Sequence, residues 1–234
     1  MSELILVRHG QASFGAESYD QLSELGRQQV RILAEHWRSM GEQFDAIYSG
    51  SLNRQQQTAA LLADVVTAPQ PSIDPAFNEY AGEPLIRIYM RDHARFEGMP
   101  DHLDFRELDR KTFQVILEAA GRHWQAGTLQ PAQTDVDFEP WPAFQRRVQQ
   151  ALQAVMARHR RGSRVIISTS GGVIALAVQY ALELSDSQAL AINWMVNNSS
   201  VTRLVYGRDR VSLGCFNSLA HLETPTGREL ITFR

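Results

Sequence analysis

Cysteine is almost absent from this chain: Cys215 is the only one in 234 residues. A lone thiol excludes an internal disulfide and a cysteine-built zinc site, and it fits a reducing, cytoplasmic setting. Long apolar runs are missing too. The opening Met1-Ser-Glu-Leu-Ile-Leu-Val-Arg8 is too short for the apolar core of a signal peptide, and an arginine closes it. The stretch from Val165 to Leu184 is apolar but broken by Ser168-Thr-Ser-Gly-Gly172, so no membrane span is expected. Neither sign of charge is in excess. A net charge of −3 and a pI near 6.2 provide no basic field for nucleic acid. There is no internal repeat and no low-complexity block. Gly10-Gln-Ala-Ser-Phe-Gly15 lacks the glycine spacing of a dinucleotide-binding turn, and no phosphate-loop lysine motif occurs. Asn197-Asn198-Ser199-Ser200 contains glycosylation triplets that, without an export signal, read as chance.

What is present is a repeated strand–turn–helix pattern. Leu4 to Val7 is a short continuous apolar run, as in a strand buried on both faces, and it ends in Arg8-His9-Gly10. Ser23 is placed to cap a helix running to about Met40, with Val30, Leu33, Ala34 and Trp37 on one face and Gly41 as its stop. A second unit joins a strand at Asp45–Tyr48, a turn at Ser49–Leu52 and a helix over Asn53–Val66. A third joins a strand at Arg164–Ser168, the turn Thr169-Ser170-Gly171-Gly172 and a buried helix over Val173–Leu184. Ser200–Tyr206 and Arg210–Phe216 alternate like a hairpin around Gly207-Arg208-Asp209. The whole reads as α/β with a mainly parallel sheet covered on both sides. Residues 80–143 are less regular, with a helix expected somewhere within Phe105–Trp124 and a loop over Gln125–Pro142. They read as a lid inserted in one domain of 1–234. Its Arg87, Tyr89, Arg91 and Arg95 are too few to name a substrate.

In open α/β sheets, ligands bind beyond the carboxyl ends of the strands. Three such ends carry Arg8-His9-Gly10, Ser49–Arg54 and Thr169–Gly172. Arg54 falls in the first turn of its helix, where free N–H groups and the helix dipole favour an anion. Gly171 and Gly172 open another helix without blocking close backbone approach. Two arginines and two helix starts describe a site for a phosphate dianion, and the planar fork of arginine suits two oxygens at once. A neutral imidazole at His9 is a nucleophile near pH 7 that divides phosphoryl transfer into two easier steps. The leaving alkoxide needs a proton from a carboxylic acid. Glu79, taken to follow a strand, is the first candidate and Glu83 the second.

Arg8-His9-Gly10 at the end of an N-terminal strand, Leu22-Ser-Glu-Leu-Gly26 after it, and Ser49-Gly-Ser-Leu-Asn-Arg54-Gln-Gln-Gln-Thr58-Ala59 together resemble the histidine phosphatase (phosphoglycerate mutase-like) superfamily. The resemblance covers most of the chain except the lid. It implies a three-layer α/β/α sandwich and a phosphohistidine on His9. It also implies phosphate contacts from Arg8 and Arg54, an acid near Glu79, and neither metal nor organic cofactor. Two departures stand out. Ser170 occupies the place where the family usually has its second histidine, so Ser170 and Gly171 become candidate phosphate contacts with reduced catalytic strength. His221 is a possible substitute for that ring. Phe14 and Gly15 replace the Trp-Asn pair typical of the mutases, which argues against phosphoglycerate mutase.

The leading expectation is a phosphomonoesterase acting on a small phosphorylated molecule. The alternatives are a catalytically weak or inactive phospho-ligand binding protein, or the mutase. His93, His102, His123 and His159 read as surface or lid residues, and Cys215 as core. Gln11 reads as touching either phosphate or its loop, and Arg158–Arg161 as a helix end. Oligomeric state, substrate and pathway are not legible.

Overall fold

The computed structural model describes residues 1–13, 20–93, 110–159, 161–208 and 210–233. The expectations for Phe14, Gly15, Arg95, His102 and the hairpin tip at Asp209 lie outside the described residues. By internal contacts the chain divides into two compact units, Met1–Glu79 with Arg147–Arg234, and Tyr80–Arg146.

The first unit is built on a six-stranded sheet of β1 (Ser2–Arg8), β2 (Ala46–Ser49), β3 (Ser72–Ile73), β4 (Arg164–Thr169), β5 (Val201–Tyr206) and β6 (Val211–Ser218), ordered β3-β2-β4-β1-β5-β6. β1 through β4 run parallel to one another, and the β5–β6 hairpin adds antiparallel to β1. The central strands β1 and β4 are the continuous apolar runs, because residues buried on both faces need no polar alternation. Leu4 pairs with Val165 and Leu6 with Ile167 in that register.

One face of the sheet is covered by α1 (Glu24–Ser39) and α2 (Asn53–Ala63). Ile5, Val7, Ile47 and Ile166 pack there against Val30, Leu33, Ala34 and Trp37 of α1 and Ala59 and Leu62 of α2. The period of two turns Leu4, Leu6, Val165 and Ile167 to the other face. Against the sheet also lies α6 (Gly171–Leu182), whose first nine residues are all buried. The result is the three-layer α/β/α arrangement with a mainly parallel sheet. The helix α7 (Asp186–Asn193) packs on α6 and starts with a full capping box from Ser185 and Gln188.

Several boundaries differ from the sequence reading. α2 stops at Ala63 rather than Val66, and α6 begins two residues early, at Gly171, and ends with Glu183 in the left-handed conformation. Glu79 follows a 3-10 turn at Pro75–Phe77 rather than a strand, because Asp74 caps that turn by accepting from Ala76 N. Cys215 is only half-buried in β6. His159 is not an idle surface residue: its Nε2 lies 3.0 Å from the hydroxyl of Tyr48.

The second unit contains α3 (Gly82–Asp92), α4 (Arg110–Gln125) and the first turn and a half of α5 (Trp141–Arg158). Trp124 is its hub, with ring centroids 4.8 Å from Tyr80, 4.9 Å from Trp141 and 5.6 Å from Phe144. Arg87 and Arg91 both pair with the buried carboxylate of Asp135. The Ala132 N–H and Arg91 hold that carboxyl below the usual range. Tyr89 is fully buried, and His93 and His123 stack 4.0 Å apart beside it. The side chains expected to greet a substrate are thus largely spent on this unit's own structure. Among the described residues, no helix is long and apolar enough to cross a membrane.

Candidate active site

The site is assembled at the carboxyl ends of β1, β2 and β4, all within the first unit. β1 delivers His9, whose N–H continues the ladder to Thr169 O at 2.9 Å. The carbonyl of His9 accepts from Ser199 N at 3.3 Å and from Asn198 Nδ2 at 3.2 Å. The ring is nearly enclosed, at 6% exposure. Nδ1 lies 2.7 Å from Gly10 O, and a carbonyl can only accept, so Nδ1 carries the hydrogen. Nε2 therefore presents a lone pair, toward which Arg54 Nε donates at 3.2 Å. Burial pushes the His9 pKa well below its ordinary value, and the charges of Arg54 and Arg8 push the same way. The hydrogen bond to Gly10 opposes them only in part. The ring is neutral, in one tautomer, with its basic nitrogen against a guanidinium.

Close backbone packing makes this possible. A Cβ on Gly10 would stand 2.3 Å from Gly26 O, and one on Gly26 would stand 2.1 Å from Gln11 O. The turn after His9 thus lies directly on the first turn of α1, and the glycine of Leu22-Ser-Glu-Leu-Gly26 is there for that contact. Thr58 Oγ1 ties in the second helix, accepting from Gly10 N at 3.2 Å and donating to Arg54 O at 2.8 Å. Gln11 belongs to the loop network: its N–H donates to Gln29 Oε1 and its side-chain oxygen accepts from Ser23.

Arg54 is fixed on its other side by Asp20. Nη1 donates to Asp20 Oδ1 at 2.6 Å, while Asp20 Oδ2 accepts from Asn53 N at the start of α2. Arg8 is half-buried, and its Nη1 donates to the carbonyl of Val196. At the start of α6, Ser170 is buried and Glu79 Oε2 accepts from Gly172 N at 3.0 Å. Gly171 faces Asn193, whose Oδ1 would lie 3.0 Å from a Cβ there. Gln55, next to Arg54, reaches across to Ser170 Oγ at 2.9 Å. Glu83, by contrast, is exposed and paired with Arg87 one turn on.

The geometry therefore joins His9 directly to Arg54, groups Ser170, Gly171 and Glu79 at one helix start, and links the two groups through Gln55. His221 does not reach for the missing histidine's role: its Nε2 lies 2.9 Å from Ser199 Oγ, behind the His9 backbone. The sequence reading missed Asp20, Gln29, Gln55, Asn193 and the Asn197–Ser200 stretch. That stretch was read as chance glycosylation triplets, yet Asn197, Asn198, Ser199 and Ser200 are all buried. Four polar residues between apolar neighbours were the available signal. Among the described residues, no group of three or more His, Cys, Asp or Glu side chains could hold a metal ion.

A strand-end histidine of this tautomer, with Arg8 before it at the end of β1 and Arg54 at the start of α2 against its Nε2, defines a phosphoryl-handling α/β protein. The histidine phosphatase superfamily (branch 1) matches residues 4–85 and 101–218, and the chain belongs to that family. A metal-independent phosphoserine phosphatase of Arabidopsis thaliana is 26% identical, over 96% of this chain and 84% of its own length. Phosphoglycerate mutase-like protein 4 of the same plant is also 26% identical, over 95% and 87%. Among solved structures, a phosphoserine phosphatase mutant of Entamoeba histolytica bound to phosphoserine superposes with a TM-score of 0.65. It is 19% identical and covers 95% of this chain and all of its own, a likeness of fold.

Proposed function

We infer that this chain is a phosphomonoester hydrolase that works through a phosphohistidine on His9, with a small phosphorylated molecule as substrate. The observation that carries the reading is the His9 ring, with Nδ1–H spent on Gly10 O and Nε2 left with its lone pair beside Arg54. Family membership and a phosphatase relative favour the same reading over mutase chemistry.

In this reading Arg54 turns its Nε–H from Nε2 to a phosphoryl oxygen, and the freed lone pair of Nε2 attacks phosphorus. The P–O ester bond breaks, and the leaving oxygen takes a proton from the Glu79 carboxyl. Water then gives a proton to the Glu79 carboxylate and attacks phosphorus. The P–N bond breaks and its electron pair returns to Nε2. Arg8 and Arg54 would neutralise the equatorial oxygens and Ser170 and the N–H of Gly171 would donate to them, while the Gly172 N–H stays with Glu79. Positioning rather than bonding is the main demand of phosphoryl transfer. Glu79 is preferred to Glu83 as the proton donor because it already touches the start of α6. The inserted residues 80–143 are proposed as the substrate-selecting lid of a single domain. The first unit's chain running on both sides of a compact Tyr80–Arg146 unit supports an insertion there. A cytoplasmic setting belongs to the same proposal, supported by the single cysteine.

The test is hydrolysis of an aryl phosphate and a panel of metabolite phosphates by wild type and His9→Ala. Turnover in the wild type alone, with an acid-labile phosphoenzyme trapped on rapid quenching, is expected. If the whole panel stays silent while inorganic phosphate still protects the fold against heat, a phospho-ligand binding protein replaces the hydrolase.

A further inference from the structure

Ser170 stands where the family usually carries a second histidine, and the structure shows what accompanies the change. The Gln55 side chain is fully buried. Its Nε2 lies 2.9 Å from Ser170 Oγ and 3.2 Å from Phe77 O. The carbonyl settles which end of the amide is which, because an oxygen turned toward Phe77 O would meet another acceptor. Both hydrogens of Nε2 are thereby assigned, and Ser170 Oγ is the acceptor in its bond with Gln55. The Ser170 hydrogen must point elsewhere, and the serine does not cap α6 with its side chain.

The remaining atom of the amide is just as informative. Gln55 Oε1 is buried and makes no hydrogen bond. It lies where a Cβ at residue 50 would come within 1.9 Å, so only Gly50 leaves room for it. A buried acceptor without a partner is a standing cost. Nothing in packing alone requires glutamine here, since an apolar side chain of that length would carry no such cost.

We propose that Gln55 and Ser170 form a neutral donor relay that takes over the oxyanion contact of the missing histidine. Gln55 is the positioning residue and Ser170 the group that touches the phosphoryl oxygen. The amide N–H polarises the hydroxyl and aims its hydrogen outward, and bonds in such a chain strengthen one another. The two positions are also sterically coupled. The Gln55 amide fills the room beside Ser170, so an imidazole at 170 fits only when residue 55 is small. This inference rests on the phosphoryl-transfer reading above and deepens it.

The experiment uses the full chain with Gln55→Met, Gln55→Ala, Ser170→Ala, Ser170→His and the double variant Gln55→Ala/Ser170→His. Two quantities are read: the affinity for orthovanadate by calorimetry, and kcat and KM for an aryl phosphate from pH 5 to 8. Gln55→Met keeps volume and loses the donor. It should weaken vanadate binding and lower kcat about tenfold while KM changes little, and Ser170→Ala should cost roughly 10²-fold. Ser170→His alone should do no better than Ser170→Ala. The double variant should exceed it by about tenfold or more, and should lose kcat/KM as pH rises through about 6.5, a fall that wild type lacks.

Wild-type vanadate affinity and kcat in Gln55→Met would overturn the relay. So would Ser170→His matching the double variant, or a wild type that binds no vanadate. A wild type that binds vanadate with the expected order of variants but hydrolyses no ester would sink the hydrolase reading and leave the relay standing.

Discussion

At the scale of single residues, His9 is a base whose charge state is set by its surroundings. A group with a depressed pKa binds its proton only when pH falls through the lowered value, so burial and the charges of Arg54 and Arg8 keep His9 neutral where a free imidazole has begun to take up its proton. The expected NMR result for the free protein is a neutral ring with the proton on Nδ1 down to well below pH 6.5. A midpoint at 6.5, or a hydrogen on Nε2, would contradict the nucleophile drawn above. His9 and Arg54 were legible in the sequence because each sits at a fixed offset from a strand or helix end. Asp20 and Asn198 were not. Their roles depend on bonds to Arg54 Nη1 and to His9 O, between positions 34 and 189 residues apart, and no local pattern announces such pairings. Gln55 lies inside the segment that carries the family resemblance, but its meaning lies in the distant serine it touches.

At the scale of elements, the glycine contact between the end of β1 and the start of α1 carries the site. Gly26→Ala puts a methyl 2.1 Å from Gln11 O, and backbone must move to admit it. The expected cost is about 2–4 kcal/mol of stability, with activity falling further than stability because the His9 turn is what shifts. Gly41→Ala is the contrast. It too has a special glycine, with φ of 69° at the end of α1, but a Cβ there meets nothing within 4 Å. That loss should be about 1 kcal/mol, with activity unchanged. Urea unfolding of both beside wild type checks the pair, and equal losses would mean the β1–α1 contact is not tight. The elements read from sequence were β1, β4 and α6 by their buried apolar runs, α1 by its Ser23 cap and apolar face, β5 and β6 by their alternation, and β2, α2 and α4 by their place in the strand–turn–helix order or their helical spacing. β3 was missed because it is two exposed residues, and α3 because Ala81 offers no capping side chain. α7 announced itself through Ser185 and Gln188, and that capping box went unread.

At the scale of the whole molecule, the architecture follows from alternating apolar strands and helices, and the buried polar layer behind His9 decides how the fold responds to acid. His221 belongs to that layer. Only 4% exposed and facing Ser199, it has its pKa lowered to about 4, chiefly by burial and in smaller part by the charge of His36. The unfolded chain takes up this proton near 6.5, whereas the folded one resists until about 4. The unfolded state therefore binds more protons across that window, and stability must fall as pH drops through it. The contribution is on the order of 3 kcal/mol between pH 7 and pH 4, and His9 adds to it with the same sign. His221→Asn keeps a polar partner for Ser199 but cannot titrate. It should start less stable at pH 7 and lose less on acidification, so that its urea midpoint approaches that of wild type near pH 4. Parallel midpoint curves from pH 7 to pH 4 would show that His221 protonates as easily in the folded protein as in the unfolded one, and that the polar layer behind His9 is open to solvent.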